Sequence, residues 1–260
     1  MNNNECYLSE LYSAIQGEGP MVGIRQIFLR FSICDLRSVW CDTPDSLVKN
    51  EFCNIETKAG KRNFTKIKNP ISLNELTDYI KNLNQNLHHS ISLTGGEPLL
   101  HYKFLVSFLP ELKEIYFIPV YLETGGHRPD ELKKIIHLVD YISLDFKLPT
   151  SAKAGILWDK HKEFLSLSLN AKNVKSVWIK IVITDATEFN ELLYSVELVK
   201  AVLKDNKELN KVEIFLQPVT EINGSKPPGE LELLEIHTKL LGKYPYIRVL
   251  PQVHKFIGQR

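Results

Sequence analysis

The stretch Ser90-Ile91-Ser92-Leu93-Thr94-Gly95-Gly96-Glu97-Pro98 decides the fold class of this chain. Its first four residues predict a strand, and an amphipathic helix is predicted soon after the glycine pair, over His101–Lys113. A strand that leads through a turn into a helix is the repeating unit of a parallel α/β sheet. The glycines would also let backbone amides and carbonyls approach a ligand closely, although Gly-Gly is equally common in a plain tight turn.

The same alternation of strand and helix continues on both sides of this unit. Further strands are predicted at Gln26–Ser32, Ile118–Glu123, Tyr141–Phe146, Trp178–Val182, Glu213–Gln217 and Tyr246–Leu250. Further helices are predicted from the Ser72/Glu75 capping box to Asn84, from Pro129 to Leu138, over Phe189–Leu203 and over Glu230–Leu241. The pattern predicts βαβ units, arranged as an open doubly wound sheet or as a partial barrel. In both arrangements, active residues are expected after the carboxyl ends of the strands.

The composition predicts one ordinary globular domain over residues 1–260. The chain is 43% hydrophobic and 24% charged with a net charge of +1, which argues against a bulk nucleic-acid or membrane binder. It has no apolar run of about 18 residues, and its start lacks the basic and apolar segments of a signal peptide, so a cytoplasmic location is expected. The polar, lysine-rich segment 45–69 is predicted to be an insertion or flap.

Polar residues recur at the predicted strand exits. Gln16-Gly17-Glu18-Gly19-Pro20 precedes the first predicted strand, and its Gln and Glu side chains offer donors and acceptors that could read the edge of a heterocycle. A simple surface turn is the alternative for this motif alone. Later strands are followed by Glu123-Thr124-Gly125-Gly126, Asp145-Phe146-Lys147 and Gln217-Pro218. Such a recurrence is better explained by a shared pocket than by chance.

Two of the four cysteines lie in one loop after the first predicted strand. The loop is Cys34-Asp35-Leu36-Arg37-Ser38-Val39-Trp40-Cys41-Asp42-Thr43, and the other cysteines are Cys6 and Cys53. Thiols of a cytosolic protein stay reduced, so these are either ligands or buried apolar residues. Against the spacing C-x3-C-x2-C, which places three thiolates around one iron–sulfur cubane, the loop keeps Cys34 and Cys41 but has Ser38 in the middle position.

Taken together, these motifs resemble the 7-carboxy-7-deazaguanine synthases, a family of radical-SAM enzymes. The resemblance runs over nearly the whole chain, and its Gly-Gly-Glu-Pro element is shared by many radical-SAM families. The Gln-Gly-Glu-Gly run upstream of Trp-Cys-Asp-Thr is far more specific. The motifs that carry it are Tyr12-Ser13-Ala14-Ile15-Gln16-Gly17-Glu18-Gly19, Trp40-Cys41-Asp42-Thr43, Thr94-Gly95-Gly96-Glu97-Pro98, Glu123-Thr124-Gly125-Gly126 and Leu250-Pro251-Gln252-Val253-His254-Lys255.

The resemblance implies a fold, a reaction and a set of partners. It implies an incomplete (β/α)6 barrel that binds a [4Fe–4S] cluster, S-adenosyl-L-methionine and Mg²⁺. The implied lyase reaction is a radical rearrangement of 6-carboxy-5,6,7,8-tetrahydropterin to 7-carboxy-7-deazaguanine with loss of ammonia, on the route to deazapurine nucleosides of tRNA such as queuosine or archaeosine. It further implies a homodimer and an electron donor such as flavodoxin or ferredoxin, without direct contact to nucleic acid or membrane.

The resemblance also implies roles for single residues. The metal ligands would be Cys34, Ser38, Cys41 and, for Mg²⁺, Thr43. S-adenosylmethionine would contact Trp40, Thr94, Gly95, Gly96, Glu97, Glu123 and Lys147. The pterin would contact Gln16, Glu18, Gly19, Arg30, Gln217, Gln252 and His254.

Ser38 departs from the three-thiolate pattern of the family. Serine is a poor substitute for cysteine as an iron ligand, because a hydroxyl is far less acidic than a thiol and oxygen is a harder ligand. Four explanations are open: an introduced Cys→Ser change, a natural loss that leaves a pterin- or S-adenosylmethionine-binding protein without radical chemistry, replacement of the missing thiolate by another ligand with Cys53 as the nearest candidate, and ligation by Ser38 as an alkoxide. A radical-SAM activase for a protein substrate is a weaker alternative, because such a substrate would not need a heterocycle-reading turn.

Overall fold

A computed structural model describes residues 3–205 and 211–259 of the chain. The start of the chain, for which no signal peptide is expected, includes Met1 and Asn2, which lie outside the described residues. Its strands are β1 (Glu5–Cys6), β2 (Leu8–Ile15), β3 (Arg25–Phe31), β4 (Phe52–Glu56), β5 (Phe64–Lys68), β6 (Ile71–Ser72), β7 (Ser90–Gly95), β8 (Val120–Thr124), β9 (Tyr141–Asp145), β10 (Ser176–Ile183), β11 (Glu213–Pro218) and β12 (Ile247–Val249). Its helices are α1 (Leu73–Asn82), α2 (Tyr102–Tyr116), α3 (Pro129–Ile135), α4 (Pro149–Ala152), α5 (Trp158–Asn170), α6 (Phe189–Asp205), α7 (Glu230–Leu241) and α8 (Val253–Phe256).

One large sheet organises the molecule. Its ten strands follow the order β12-β11-β10-β9-β8-β7-β3-β2-β4-β5. Neighbours run parallel from β3 to β12, whereas β2 is antiparallel to β3, and β4 and β5 form an antiparallel hairpin beyond it. The parallel strands alternate with helical segments, as the sequence predicts, in the incomplete (β/α)6 barrel that the resemblance implies. From β3 to β12 the strand order follows the chain order without a reversal, which excludes the open doubly wound sheet.

Side chains of the parallel strands alternate between two environments, because successive residues of a strand point to opposite faces. In β7, Ile91 and Leu93 belong to the apolar core between sheet and helices, whereas Ser90, Ser92 and Thr94 occupy the alternate positions. Thr94 lines a cavity inside the barrel. The same alternation in β10 sends Lys180 to the inner face. The part of the barrel interior that lines the cavity is therefore polar, although its strands are largely apolar in sequence.

An aromatic cluster packs inside the barrel below this polar region. The buried side chains of Met21, Tyr121, Trp178 and Phe215 pack together, with 5.3 Å between the ring centroids of Tyr121 and Trp178. Gly19 lies against this cluster, because a Cβ atom added there would be 2.6 Å from Trp178 Nε1 and its φ of +61° already favours glycine. Gly19 does not line the cavity described below, and the absence of a side chain at this position allows the close packing.

The segment predicted as an insertion or flap is partly regular. It contains the hairpin of β4 and β5, which extends the main sheet at its edge. In β4, Phe52 and Asn54 line the cavity, whereas Cys53 and Ile55 lie in the apolar core on the opposite face. This placement keeps the Cys53 thiol away from the loop that contains Cys34.

The remaining elements largely follow the sequence predictions. All seven predicted parallel strands and all five predicted helices are present, with ends that differ by a few residues. The capping box at the start of α1 is formed, since Ser72 and Glu75 exchange side chain-to-backbone hydrogen bonds. The strand β2 and the helix α5 were not predicted from the sequence. Within the described parts of the chain, every helix is too short or too polar to span a membrane.

Candidate functional site

A cavity of about 800 Å³ opens at the carboxyl ends of the parallel strands. Its wall combines strand ends, the loop of residues 34–43 (the cysteine loop) and the C-terminal tail of residues 250–259. Apart from Gly19, every residue predicted for the site lines this cavity: Gln16, Glu18, Arg30, Cys34, Ser38, Trp40, Cys41, Thr43, Thr94, Gly95, Gly96, Glu97, Glu123, Lys147, Gln217, Gln252 and His254. The structure thus brings together residues that lie more than 200 positions apart in sequence.

The turn after β7 requires its two glycines. Gly95 has a φ of +112°, and a Cβ atom there would overlap with the backbone of Phe31. A Cβ atom at Gly96 would overlap with the carbonyl oxygen of Ile33, which directly precedes the cysteine loop. The ends of β3 and β7 can therefore approach each other closely, which places the glycine turn and the cysteine loop side by side on the cavity.

Glu97 is buried beneath this turn and is already paired within the protein. Its carboxylate accepts hydrogen bonds from the Thr124 hydroxyl at 2.8 and 3.0 Å, from Gly125 N at 3.0 Å and from Leu99 N at 3.1 Å. The side chain is 1% exposed. Glu97 therefore joins the exits of β7 and β8, in addition to any contact it makes with a ligand.

The half-buried Glu123 and the buried Gln16 form a second pair. Gln16 Nε2 donates to Glu123 Oε1 at 2.7 Å, while Gln16 Oε1 accepts from the backbone N–H groups of Gly17 and Glu18. Glu123 also accepts from Thr94 Oγ1 at 2.9 Å. The amide of Gln16 thus holds the Gln-Gly-Glu turn in one conformation against β8.

Glu18 points from this turn towards three donors. Its carboxylate accepts from Lys180 Nζ at 2.7 Å, from Gln217 Nε2 at 3.1 Å and from Gln252 Nε2 at 3.0 Å. Burial alone would raise the pKa of Glu18, but Lys180 and the Gln252 amide hold it below its ordinary value. Glu18 is therefore an anion in the cavity wall at neutral pH.

Asp145 and Lys147 extend this set along the exit of β9. Asp145 Oδ2 lies 2.7 Å from Lys147 Nζ and 3.1 Å from Lys180 Nζ. The Lys147 ammonium lies 4.3 Å from the centroid of the Trp40 ring, in cation–π geometry. Within the described residues, Asp145 Oδ1 and Trp40 Nε1 are buried and have no hydrogen-bond partner.

Arg30 contributes the positive charge at the exit of β3. Its guanidinium donates to Tyr12 OH at 2.6 Å and to Glu10 Oε2 at 3.3 Å. Arg30 and Glu10 both line the cavity. Arg30 is thus held in place by neighbours from β2 while it faces the space that a ligand would fill.

The C-terminal tail covers one side of the cavity. Gln252 Nε2 donates to both Glu18 and Asp42, and Lys255 Nζ lies 2.9 Å from Asp42 Oδ2. Gly17 packs so tightly against His254 that a Cβ atom at position 17 would overlap with it. Burial lowers the pKa of His254, so its imidazole is neutral at pH 7.

The cysteine loop presents two thiols, of Cys34 and Cys41, and two hydroxyls, of Ser38 and Thr43, to the cavity. Cys34, Ser38 and Cys41 are all partly exposed, and the turn that holds the last two has a hydrogen bond from Cys41 N to Ser38 O at 3.1 Å. Burial raises the pKa of the Cys34 thiol to about 11. The Ser38 hydroxyl has no hydrogen-bond partner among residues 3–205 and 211–259. Thr43 Oγ1 lies 3.8 Å from Cys41 Sγ and accepts from Ser46 Oγ.

Other metal-binding side chains do not complete this set. Cys6 and Cys53 are buried in the apolar core, where burial raises the pKa of both thiols. Asp35, inside the loop, is held by His127 at 2.8 Å and by Arg128 at 2.7 Å. In the described part of the chain, no three His, Cys, Asp or Glu side chains are grouped to hold a metal ion. The loop side chains that line the cavity and could ligate iron are the thiols of Cys34 and Cys41 and the hydroxyl of Ser38, since Asp42 is paired with Lys255 and Gln252.

Lys180 was not predicted from the sequence, and Asp145 was expected near the pocket only as part of the motif Asp145-Phe146-Lys147. Both line the cavity and form an ion pair with each other. One signal was available for Lys180: a lysine in the middle of the apolar run Trp178-Ile179-Lys180-Ile181-Val182 must face a polar interior. Its partners come from distant parts of the chain, so the sequence alone does not identify them.

Comparison with known proteins gives matches over the whole chain. Residues 29–199 match the Radical SAM superfamily. The chain is 38% identical to the 7-carboxy-7-deazaguanine synthase of Geobacter sulfurreducens over 265 aligned positions, which cover 100% of both chains. It is 32% identical to the enzyme of that name from Methanothermobacter thermautotrophicus, with 96% of each chain covered.

Solved structures show the same fold. The crystal structure of QueE from Escherichia coli superimposes with a TM-score of 0.59 at 18% identity, covering 96% of this chain and 95% of that one. A radical SAM methyltransferase from Sphaerobacter thermophilus has a TM-score of 0.58 at 10% identity, with 94% of this chain and 77% of that chain covered. At these identities the likeness concerns the partial barrel alone.

Proposed function

The chain belongs to the 7-carboxy-7-deazaguanine synthase family of the radical SAM superfamily, and from this premise we propose that its cavity converts 6-carboxy-5,6,7,8-tetrahydropterin to 7-carboxy-7-deazaguanine with loss of ammonia. One observation supports this most strongly. The cysteine loop and the Gln-Gly-Glu turn face the same cavity, so that a reactive cofactor and a polar heterocycle would meet there.

The family implies a [4Fe–4S] cluster and S-adenosylmethionine, and the residues present suit both. Cys34, Ser38 and Cys41 would hold the cluster, and Gly95 and Gly96 would let the methionine part of S-adenosylmethionine approach the turn. Thr94, Glu97, Glu123, Lys147 and the face of Trp40 would complete its binding site. Together the bound cluster and S-adenosylmethionine supply the radical that starts the rearrangement, whereas the protein binds, orients and excludes water.

The polar side of the cavity suits a pterin with a carboxylate. The Glu18 carboxylate and the Gln16, Gln217 and Gln252 amides offer donors and acceptors for the ring edge. Arg30 would attract the substrate carboxylate, since it keeps its positive charge while its other contacts hold it in place. His254, being neutral, would contact the ring without adding charge.

Mg²⁺ is the third cofactor proposed. Thr43 would bind it through its hydroxyl, since Mg²⁺ prefers oxygen ligands and keeps several waters. The side chain lies on the cavity wall beside Cys41. We further propose that the protein is a cytoplasmic homodimer and that a flavodoxin or ferredoxin supplies its electrons. Its product would enter the queuosine or archaeosine branch of tRNA modification.

Ser38 is proposed as the third protein ligand of the cluster. Of the four explanations for Ser38, replacement by Cys53 loses its support, because that thiol lies on the core face of β4. The Ser38 hydroxyl lies on the cavity wall, in a turn with Cys41, and has no hydrogen-bond partner in the part of the chain that the structure describes. Oxygen is a harder ligand than sulfur, so this third position should hold iron less firmly than a thiolate does.

The experiment compares three anaerobically reconstituted proteins: the unsubstituted chain, Ser38→Cys and Ser38→Ala. We expect Ser38→Cys to bind the most iron and sulfide, the unsubstituted chain to bind less and Ser38→Ala to bind the least. Cys53→Ser serves as the matched control and should bind as much iron as the unsubstituted chain. Equal iron content in the unsubstituted chain and Ser38→Ala would show that Ser38 is not a ligand.

Activity is measured on the same samples, as 7-carboxy-7-deazaguanine formed from the pterin and S-adenosylmethionine. Product from the unsubstituted chain supports the proposed enzyme. The second candidate is a protein that binds pterin or S-adenosylmethionine without radical chemistry, and the presence of only two thiols in the loop favours it. Product from Ser38→Cys alone, with ligand binding by both proteins, would establish this second function.

A further inference from the structure

Lys180 occupies a central position in the cavity wall. It lies on the inner face of β10, directly beside Asp145 in the register of β9 and β10. Its ammonium is 2.7 Å from Glu18 Oε2 and 3.1 Å from Asp145 Oδ2, and its side chain is 15% exposed. One cation therefore bridges the turn before β3 and the exit of β9.

Two chains of contacts lead from Lys180 to the cysteine loop. The first runs through Asp145 to Lys147, whose ammonium lies over the ring of Trp40. The second runs through Glu18 to Gln252. Gln252 in turn donates to Asp42 at 3.1 Å. The two paths reach the cysteine loop at different residues, Trp40 and Asp42.

Lys180 determines how Glu18 is held. Glu18 Oε1 accepts from the amides of Gln217 and Gln252, whereas Lys180 is the donor to Oε2. Removing the lysine leaves Oε2 without its charged donor and leaves Glu18 an uncompensated anion in a half-buried site. The carboxylate would then be free to rotate or to take up a proton.

From this geometry we propose that Lys180 is a positioning residue that fixes Glu18, and with it the pterin-reading turn, relative to the cysteine loop. The inference rests on the proposed function, because Glu18 is taken there as a pterin contact. A substrate that binds in a shifted position would present the wrong atom to the radical. A displacement of about 1 Å can lower a reaction rate by about 100-fold. Lys180 acts through Glu18 and needs no contact with the substrate itself.

The test is calorimetric binding of 6-carboxy-5,6,7,8-tetrahydropterin to the purified chain and to Lys180→Met. We expect Kd to rise by at least about tenfold in Lys180→Met, because a charged hydrogen bond is lost. Lys180→Arg, which keeps the charge, should restore much of the affinity. The matched control is Lys175→Met, since Lys175 pairs with Asp140 near the opposite end of β10, outside the cavity lining.

A double-mutant cycle with Glu18→Gln separates positioning from a general effect on the fold. If Lys180 acts through Glu18, then Lys180→Met adds little further loss of affinity in the Glu18→Gln background. Additive losses would overturn the inference, as would an unchanged Kd in a folded Lys180→Met protein. Lys180→Gln replaces Lys180→Met in both measurements if the latter does not fold.

A second measurement follows the ratio of 5′-deoxyadenosine to 7-carboxy-7-deazaguanine during turnover. Loss of folded protein lowers both products equally, whereas a shifted substrate raises the ratio in Lys180→Met. If the unsubstituted chain does not bind the pterin at all, the proposed function is refuted and the inference with it. If that chain binds the pterin and Lys180→Met binds it equally well, only the inference is refuted.

Discussion

The cavity has two walls that are built differently. On the barrel wall, the carboxylates of Glu18, Glu97 and Glu123 each accept hydrogen bonds from two or more protein donors. On the cysteine loop, the Ser38 hydroxyl has no partner within the described residues, and Arg37 stabilises the loop through backbone carbonyls. The apolar ring of Trp40 anchors the loop from below, packed against Val182 and Val219.

The difference indicates how each wall meets its ligand. Paired carboxylates in a buried wall are fixed before any ligand arrives, which suits the orientation of a rigid heterocycle. The Ser38 hydroxyl suits a partner from outside the chain, because no hydrogen bond to another described residue must be broken first. Substitutions in the barrel wall should therefore lower the free energy of unfolding. Substitutions of the proposed iron ligands in the cysteine loop should weaken cofactor binding alone.

The largest effect on stability is expected for Glu97→Ala. The substitution leaves the buried N–H groups of Leu99 and Gly125 and the hydroxyl of Thr124 without their acceptor. Since each unsatisfied group costs about 1–3 kcal/mol, the free energy of unfolding should fall by about 4 kcal/mol. Urea denaturation followed by circular dichroism measures the change.

The control for this substitution is Glu197→Ala, which removes an exposed carboxylate paired with Lys200 on the same helix. Exposed pairs contribute little, so the denaturation midpoint should hardly move. A Glu97→Ala protein as stable as Glu197→Ala would contradict the view that the barrel wall is fixed by its internal hydrogen bonds.

A smaller effect is expected from acid, through His161 behind the barrel wall. His161 is fully buried, donates from Nε2 to the carbonyl of Gly125 at 3.0 Å and stacks on Phe146. Burial lowers its pKa from 6.5 to about 4 in the folded protein. The titratable and charged groups that face it are Asp145, His127 and Lys147.

Between pH 6.5 and 4 the unfolded chain binds a proton at His161 that the folded protein does not. Above pH 6.5, His161 has no effect on the pH dependence of the free energy of unfolding. Below pH 6.5, the titration of His161 lowers this free energy, by about 3 kcal/mol at pH 4. His161→Gln keeps a donor for Gly125 but does not titrate, so its stability should fall less over this range. Identical pH dependence in the two proteins would exclude His161 as a source of acid sensitivity.

Much of the fold was predictable, and the elements that were missed have physical reasons. The buried positions of α5 include His161 and Ser168 beside Phe164 and Leu165, so its apolar periodicity is interrupted by polar residues. The strand β5, at the edge of the sheet, carries Lys66 and Lys68. Lysines on an edge strand oppose pairing with other chains, but they also make the segment look like a polar flap.

The site was predictable where a motif or a resemblance pointed to it, and less so elsewhere. Gln16, Glu18 and Glu97 lie in glycine-containing motifs, and the structure places all three on the cavity. Lys180 lies in no motif, and its two partners are 35 and 162 positions away in the chain. Long-range ion pairs depend on strand register and barrel closure, which local sequence patterns do not contain.

The smallest effect on stability is expected for Ser38→Ala. The Ser38 side chain makes no protein hydrogen bond among the described residues and is only half-buried, so its removal leaves no donor or acceptor unsatisfied. The free energy of unfolding of the iron-free protein should change by less than about 0.5 kcal/mol. Thermal unfolding of apoprotein, followed by iron binding on the same preparation, measures both properties. A marked loss of stability in the apoprotein would mean that the hydroxyl supports the loop itself, and the contrast between the two walls would then fail.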